Sequence, residues 1–285
     1  MDETTLRRLL EDSVGQEPPI GPIAENSLRA GIKLRRRRVL RVAGGVAAAA
    51  VIAVAIPALT RPVGAPPAGR QHGVGKIAVY VGYLRSGSVT PINAGSDTPG
   101  KPIKVGEELY SMAITPDGKT IYVGRYGRAV TPIATATNTL EKPIPVSGAA
   151  WAIAITPDGR TAYVANDRSD TVTPVATATN TPGRSIKVGT RPMAIAITPD
   201  GKTAYVANEF SNTVTPIATA TNTPGRPIKV PRLPEAIAIT PDGKTAYVAV
   251  WDGVTPIATA TNTRGRLIKV GAGSLRGIAA IVVTP

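Results

Sequence analysis

No cysteine occurs among the 285 residues, so neither disulfides nor thiolate-bound metals can brace this fold or carry its chemistry. The only histidine, His72, precedes the repeated part of the chain, which is left without an imidazole to bind haem, copper or zinc, or to activate a serine. The GxxxxGKS/T and GxGxxG phosphate loops are missing, and so is the DxDxDG spacing of a calcium loop. Helix formers are scarce after Lys76, where Thr, Val, Ile, Pro and Gly dominate. These gaps exclude much of metal, nucleotide and triad enzymology. The chain reads as all-β and non-catalytic, with no cofactor and no metal site.

What is present is repetition. AITPDGKT at 113–120 recurs as AITPDGRT at 154–161, then as AITPDGKT at 196–203 and 238–245, and the turn prolines Pro116, Pro157, Pro199 and Pro241 are 41, 42 and 42 residues apart. A period near 42 that carries several strand-like segments marks a propeller blade, because a four-stranded sheet cannot bury both faces without neighbours. In one copy, MAIAIT at 193–198 alternates small and bulky residues and suits an inner strand. Pro199, Asp200 and Gly201 form a turn, TAYVAN (203–208) and TVTPIAT (213–219) are the second and third strands, and RPIKV (226–230) is the outer fourth. Asp117, Asp158, Asp200 and Asp242 share that turn position and read as turn formers.

YVAN at 163–166 and 205–208, SNTV at 211–214 and ATNT at 220–223 resemble the YVTN β-propeller repeat of prokaryotic surface-layer proteins, over residues 76–285. The pattern decays to YVGR at 122–125 and YVAV at 247–250, and the Asp common before ATNT in that family is Ala218 here, after Ile217. The repeats begin on a second strand, 76–81, and finish on a first strand, 277–283. Pairing these two closes a ring of five four-stranded blades with no open edge, the expected all-β architecture of a monomeric propeller. Completion of a larger ring by oligomers is the alternative.

The residues ahead of the body differ in composition. Residues 1–34 form a polar tail, 35–60 a basic cluster followed by an apolar run, 61–75 a Pro/Gly-rich linker, and 76–285 the propeller. The run at 42–59 has 18 residues without charge, about 27 Å as a helix at 1.5 Å per residue, against roughly 30 Å of bilayer core. It reads as a single transmembrane helix acting as a signal-anchor. Arginines 35–38 and 41 precede it, which keeps the N-terminus in the cytoplasm and places the propeller outside the cell membrane. RRRVLR at 36–41 also resembles the twin-arginine export signal; a plain stop-transfer cluster is the alternative.

The formal charge of +14 splits into +5 for residues 1–75 and +9 for 76–285. Nine outer-strand basic residues account for the second part, among them Lys104, Lys187 and Lys229, and they form a girdle that keeps sheet edges from pairing with other chains. Outside the membrane, nucleic acid is not expected as a partner. The copies disagree instead in the loops between second and third strands and between blades. There lie Tyr83, Tyr110, Tyr126, Trp151, Phe210 and Trp251, with Arg125, Arg191, Arg232 and Arg276. Trp, Tyr and Arg are the side chains of binding hot spots, so these residues are the candidate surface for a protein or cell-wall polysaccharide. A lactonase- or hydrolase-like propeller enzyme and a purely structural surface module are the rival readings.

Overall fold

The computed structural model describes residues 50–54 and 78–270, and every element in them is a strand. The first sheet holds β1 (Ala50–Val54), β2 (Ala78–Tyr83), β3 (Ser88–Asn93), β4 (Thr98–Pro99) and β5 (Ile103–Lys104). The second holds β6 (Leu109–Ile114), β7 (Thr120–Arg125), β8 (Ala129–Ala134), β9 (Thr139–Leu140) and β10 (Ile144–Pro145). The third holds β11 (Ala149–Ile155), β12 (Thr161–Asp167), β13 (Thr171–Ala176), β14 (Thr181–Pro182) and β15 (Ile186–Lys187). The fourth runs through β16 (Pro192–Ile197), β17 (Thr203–Asn208), β18 (Thr213–Ala218), β19 (Thr223–Pro224) and β20 (Ile228–Lys229). The fifth comprises β21 (Ala236–Ile239), β22 (Thr245–Val250), β23 (Gly253–Ala258) and β24 (Thr263–Arg264), with a further bridge between Val254 and Ile268.

Each sheet is an antiparallel meander, and in the second to fifth sheets the repeated phrases fall in the same place. The TPDG turns join first to second strands: Thr156 Oγ1 donates to Asp158 Oδ1 at 2.5 Å and the Arg160 amide donates to the same oxygen at 3.0 Å. The Thr hydroxyl, then the amide, hold that carboxyl below its ordinary value, and Asp117, Asp200 and Asp242 are held low in the same way, first by Thr115, Thr198 and Thr240. Of the outer strand expected at 226–230 only β20 forms, and the short β19 precedes it, both paired with β18. Pro224 and Pro227 flank the gap, where proline cannot donate to the ladder.

Four apolar clusters lie between successive sheets. The first joins Tyr80 and Val89 to Leu109, Met112, Ile121 and Ile133, and equivalent sets follow between second and third, third and fourth, and fourth and fifth sheets. Across each of these seams one tyrosine reaches into the next sheet's ATNT turn. The hydroxyls of Tyr80, Tyr122, Tyr163 and Tyr205 donate to Oδ1 of Asn138, Asn180, Asn222 and Asn262 at 2.8, 2.6, 2.6 and 2.7 Å. All four asparagines have φ between 53° and 56°, a left-handed position that Asn tolerates better than most residues. Burial raises the pKa of all four tyrosines, that of Tyr122 to about 12. The hydroxyls therefore remain donors at neutral pH.

The repeats also show what one residue does to a neighbour. In the third and fourth sheets Asn166 and Asn208 are fully buried and donate through Nδ2 to Thr173 and Thr215 at 2.9 Å. In the second and fifth sheets Arg125 and Val250 take the same position, and the matching hydroxyls of Thr131 and Thr255 are buried without a hydrogen-bond partner among the described residues.

Two expectations change at the first sheet. The inner edge of β2 is occupied by Ala50–Val54, in register Ala50↔Tyr83 to Val54↔Val79, so five residues of the expected transmembrane helix are a strand here. No helix among the described residues is long and apolar enough to cross a membrane. The closing strand expected at 277–283 lies outside the described residues, and the place foreseen for it beside β2 is taken by β1. A physical reason lies in the pairing. Every inner strand sets an alanine opposite the repeated tyrosine, Ala113↔Tyr122, Ala154↔Tyr163, Ala196↔Tyr205 and Ala238↔Tyr247, and β1 sets Ala53 opposite Tyr80. An uncharged run rich in Ala, Val and Ile suits a crowded inner strand as well as a bilayer.

Candidate functional site

Loops opposite the TPDG turns carry the differences between copies, yet the two central aromatics are not loop residues. The pairing of β6 with β7 skips Tyr110, between Leu109 and Ser111, and that of β11 with β12 skips Trp151, between Ala150 and Ala152. Both are bulge residues, with Met193 at the matching point of β16. A bulge leaves its extra residue outside the ladder and re-aims the side chain. The rings of Tyr110 and Trp151 consequently stack across the seam between second and third sheets, with centroids 4.5 Å apart and planes at 29°.

The row continues in both directions. Tyr126, after β7, meets Tyr110 edge to face at 6.4 Å, and Arg168 lies 5.3 Å from the Tyr126 centroid while its Nη1 donates to the Tyr126 hydroxyl at 3.2 Å. On the other side Arg191 lies 6.0 Å from the Trp151 centroid and 4.6 Å from that of Phe210. Arg191 is paired twice: Nη1 is 3.0 Å from Glu209 Oε2, and Nε is 3.7 Å from Asp167 Oδ1. Burial raises the Glu209 carboxyl above its ordinary pKa, the Arg191 guanidinium works against that shift, and Glu235 and Asp167 add to it. The Tyr110 hydroxyl donates to Glu108 Oε2 at 2.6 Å, and burial followed by that bond pushes its pKa up to about 12. Arg168 and Arg191 both have positive φ, 68° and 57°, which costs a non-glycine residue about 1 kcal/mol or more. Arginine at these two points is explained by what its side chain touches rather than by its backbone.

Five of the expected residues, Tyr110, Tyr126, Trp151, Arg191 and Phe210, are therefore brought into one continuous row over the second, third and fourth sheets. The others stand around it or elsewhere on the body. Tyr83 ends β2 and is 48% exposed. Arg125 ends β7 beside Gly106 and Gly127, with its Nε buried and lacking a hydrogen-bond partner among the described residues. Trp251 follows β22, and its amide is held by the Arg232 carbonyl at 2.9 Å. Arg276 lies outside the described residues. Four contributors were missed as site residues: Arg168, Glu108, Asp167 and Glu209. The available signal was their place in the same variable loops.

The comparisons with known proteins agree with this architecture. Residues 145–257 match the model of the YNCE-like beta-propeller family. Among solved structures, hydrazine synthase of Kuenenia stuttgartiensis aligns with a TM-score of 0.60 and 26% identity, over 67% of this chain and 62% of that one. A functionally unknown protein from Desulfotomaculum acetoxidans aligns at 0.59 and 24% identity, over 67% of this chain and 65% of that one. The chain thus spans less than two thirds of the length of these structures. No curated protein matches it. The fold and the family match together define a β-propeller protein.

Proposed function

We propose that this propeller is a non-catalytic binding module that takes a protein partner on its variable face, centred on Tyr110, Trp151, Arg191 and Phe210. The observation that carries the reading is the single aromatic and arginine row built across three sheets. Aromatic and arginine side chains gathered in one patch dominate the energetics of many interfaces. The row also favours protein over glycan. A sugar docks by laying its C–H face on an open ring, whereas Trp151 already has Tyr110 from the preceding blade and Arg191 from the following blade against it. The exposed apolar area falls instead to Phe210, 56% exposed, and Tyr126, 46% exposed.

The same reading places the body outside the membrane as a closed ring of five blades, in keeping with the YVTN resemblance. Anchoring and β1 pairing exclude one another: with Ala50–Val54 in the sheet, only residues 42–49 separate Arg41 from β1, far fewer than the roughly 20 needed to cross. Insertion would withdraw β1 from β2, leaving that edge for residues 277–283.

The test compares the full-length chain with Trp151→Ala and Phe210→Ala for capture of cell-surface proteins and of cell-wall polysaccharide. Protein capture weakened by about tenfold or more in each variant, near the 1.4 kcal/mol of one decade, supports the reading. Lys187→Glu and Lys229→Glu should change mainly the association rate and its salt dependence. If the lysine variants abolish binding at physiological salt while both aromatic variants bind normally, the basic girdle is the recognition surface.

A further inference from the structure

The four seams share one device: a tyrosine of each sheet donates to a left-handed asparagine of the next. Tyr247 occupies the tyrosine position of the last sheet and has no such partner among the described residues. It is partly exposed, where Tyr80, Tyr122, Tyr163 and Tyr205 are 2% exposed or less. At the other end, the first sheet contains the acceptor half with no tyrosine before it. Asp97 stands where Asn138, Asn180, Asn222 and Asn262 stand, immediately before the short fourth strand. Its φ is 52°, against 53° to 56° for the asparagines, so the acceptor geometry already exists. The neighbouring bond is also reproduced, Ser96 with Thr98 at 2.7 Å matching Thr137 with Thr139 at 2.7 Å.

We propose that Tyr247 and Asp97 are the two halves of a fifth latch, and that the surface of the last sheet around Tyr247 receives the first sheet of the same chain. This rests on the closed-ring reading. Here a carboxylate stands where the other seams have a neutral amide. Hydrogen bonds to a charged acceptor are roughly twice as strong as neutral ones, which suits the one seam that no continuous chain holds together. The second, weaker bond of the other latches, from the Tyr205 hydroxyl to the Thr259 carbonyl at 3.2 Å, has its counterpart in the Ala94 carbonyl.

A double-mutant cycle on the full chain tests the pair, read as melting midpoint over a range of protein concentrations and alongside solution scattering. Asp97→Gly removes the acceptor while tolerating the positive φ, and Asp97→Asn restores the amide used in the other seams. Tyr247→Phe and Asp97→Gly should each lower the midpoint by about 2–4 °C, as a 1 kcal/mol loss does in a body of this size, and the double variant should fall no further. Asp97→Asn, which keeps an acceptor of the weaker neutral kind, should melt between wild type and Asp97→Gly. Tyr205→Phe, which breaks a latch already seen, calibrates the size of the shift. A midpoint untouched by Tyr247→Phe, or full additivity of the two changes, overturns the latch. If scattering still shows a closed ring in that event, the ring stands without it; an open arc removes both. Coupling that appears only at high concentration, with a dimer in solution, overturns closure within one chain and assigns the surface to a second copy.

Discussion

On the turn face, four tyrosine to asparagine bonds repeat at 2.6 to 2.8 Å, whereas on the opposite face the aromatic and arginine side chains differ from sheet to sheet. Identical phrases at a fixed period build identical contacts, and those contacts hold sheet to sheet. The variable face spends its residues on one asymmetric row, Tyr126, Tyr110, Trp151, Arg191 and Phe210, whose rings are partly or largely exposed. Stability and recognition are thus separated onto two sides of the same sheets. The lesson is directional: changes on the turn face should cost folding, and changes on the other face should cost binding.

The sharpest break of that division comes from Tyr163→Ala. It empties a side chain that is 1% exposed and removes its latch to Asn222, with an expected loss of about 3–5 kcal/mol in denaturant unfolding. Trp151→Ala, on the partly exposed face, should lose clearly less; equal losses would erase the distinction. A smaller effect is expected in alkali. The latch tyrosines have raised pKa values in the folded state, so their contribution is complete below the ordinary value of 10.0 and is lost as pH climbs toward about 12, the value for Tyr122. Ellipticity and tyrosinate absorbance should therefore change together in that window, and ionisation without unfolding would show that the latches hold little. The smallest effect belongs to the TPDG carboxylates. Their folded pKa values lie below 3.8, so what they add is present above that pH and fades as pH falls below it. All four are largely exposed and screened, so melting between pH 6 and 3 should show only a shallow slope, flattened further when the four are changed to Asn.

Much of this division was legible in the residues themselves. The spacing of Pro116, Pro157, Pro199 and Pro241 located the sheets, and the disagreement between copies located the variable face. The latch was not legible, because Tyr122 and Asn180 lie 58 residues apart in different copies and each looks like ordinary repeat filler. Tyr110 and Trp151 were misassigned to loops because a bulge has no composition of its own; it shows only as one residue too many against the partner strand. Ala50–Val54 lie in a run expected to be a helix, because an uncharged apolar run is the same signal for a bilayer and for a buried inner strand. Only the Ala to Tyr pairing separates the two, and pairing is a property of the sheet.

The covalent link into β2 sets the first sheet apart. Five residues join first and second strands in each of the other sheets, for example 156–160, but 55–77 between β1 and β2 amounts to 23. Closing the longer loop costs about 1.4 kcal/mol more in chain entropy, on the logarithmic dependence of closure on length. Strand capture there is also less local in sequence than anywhere else in the body, and less local contacts form more slowly. The edge of β2 should accordingly be the last to gain its neighbour as the chain folds, so the interval in which this molecule exposes a bare strand to other chains is set by its first sheet and not by the four regular repeats.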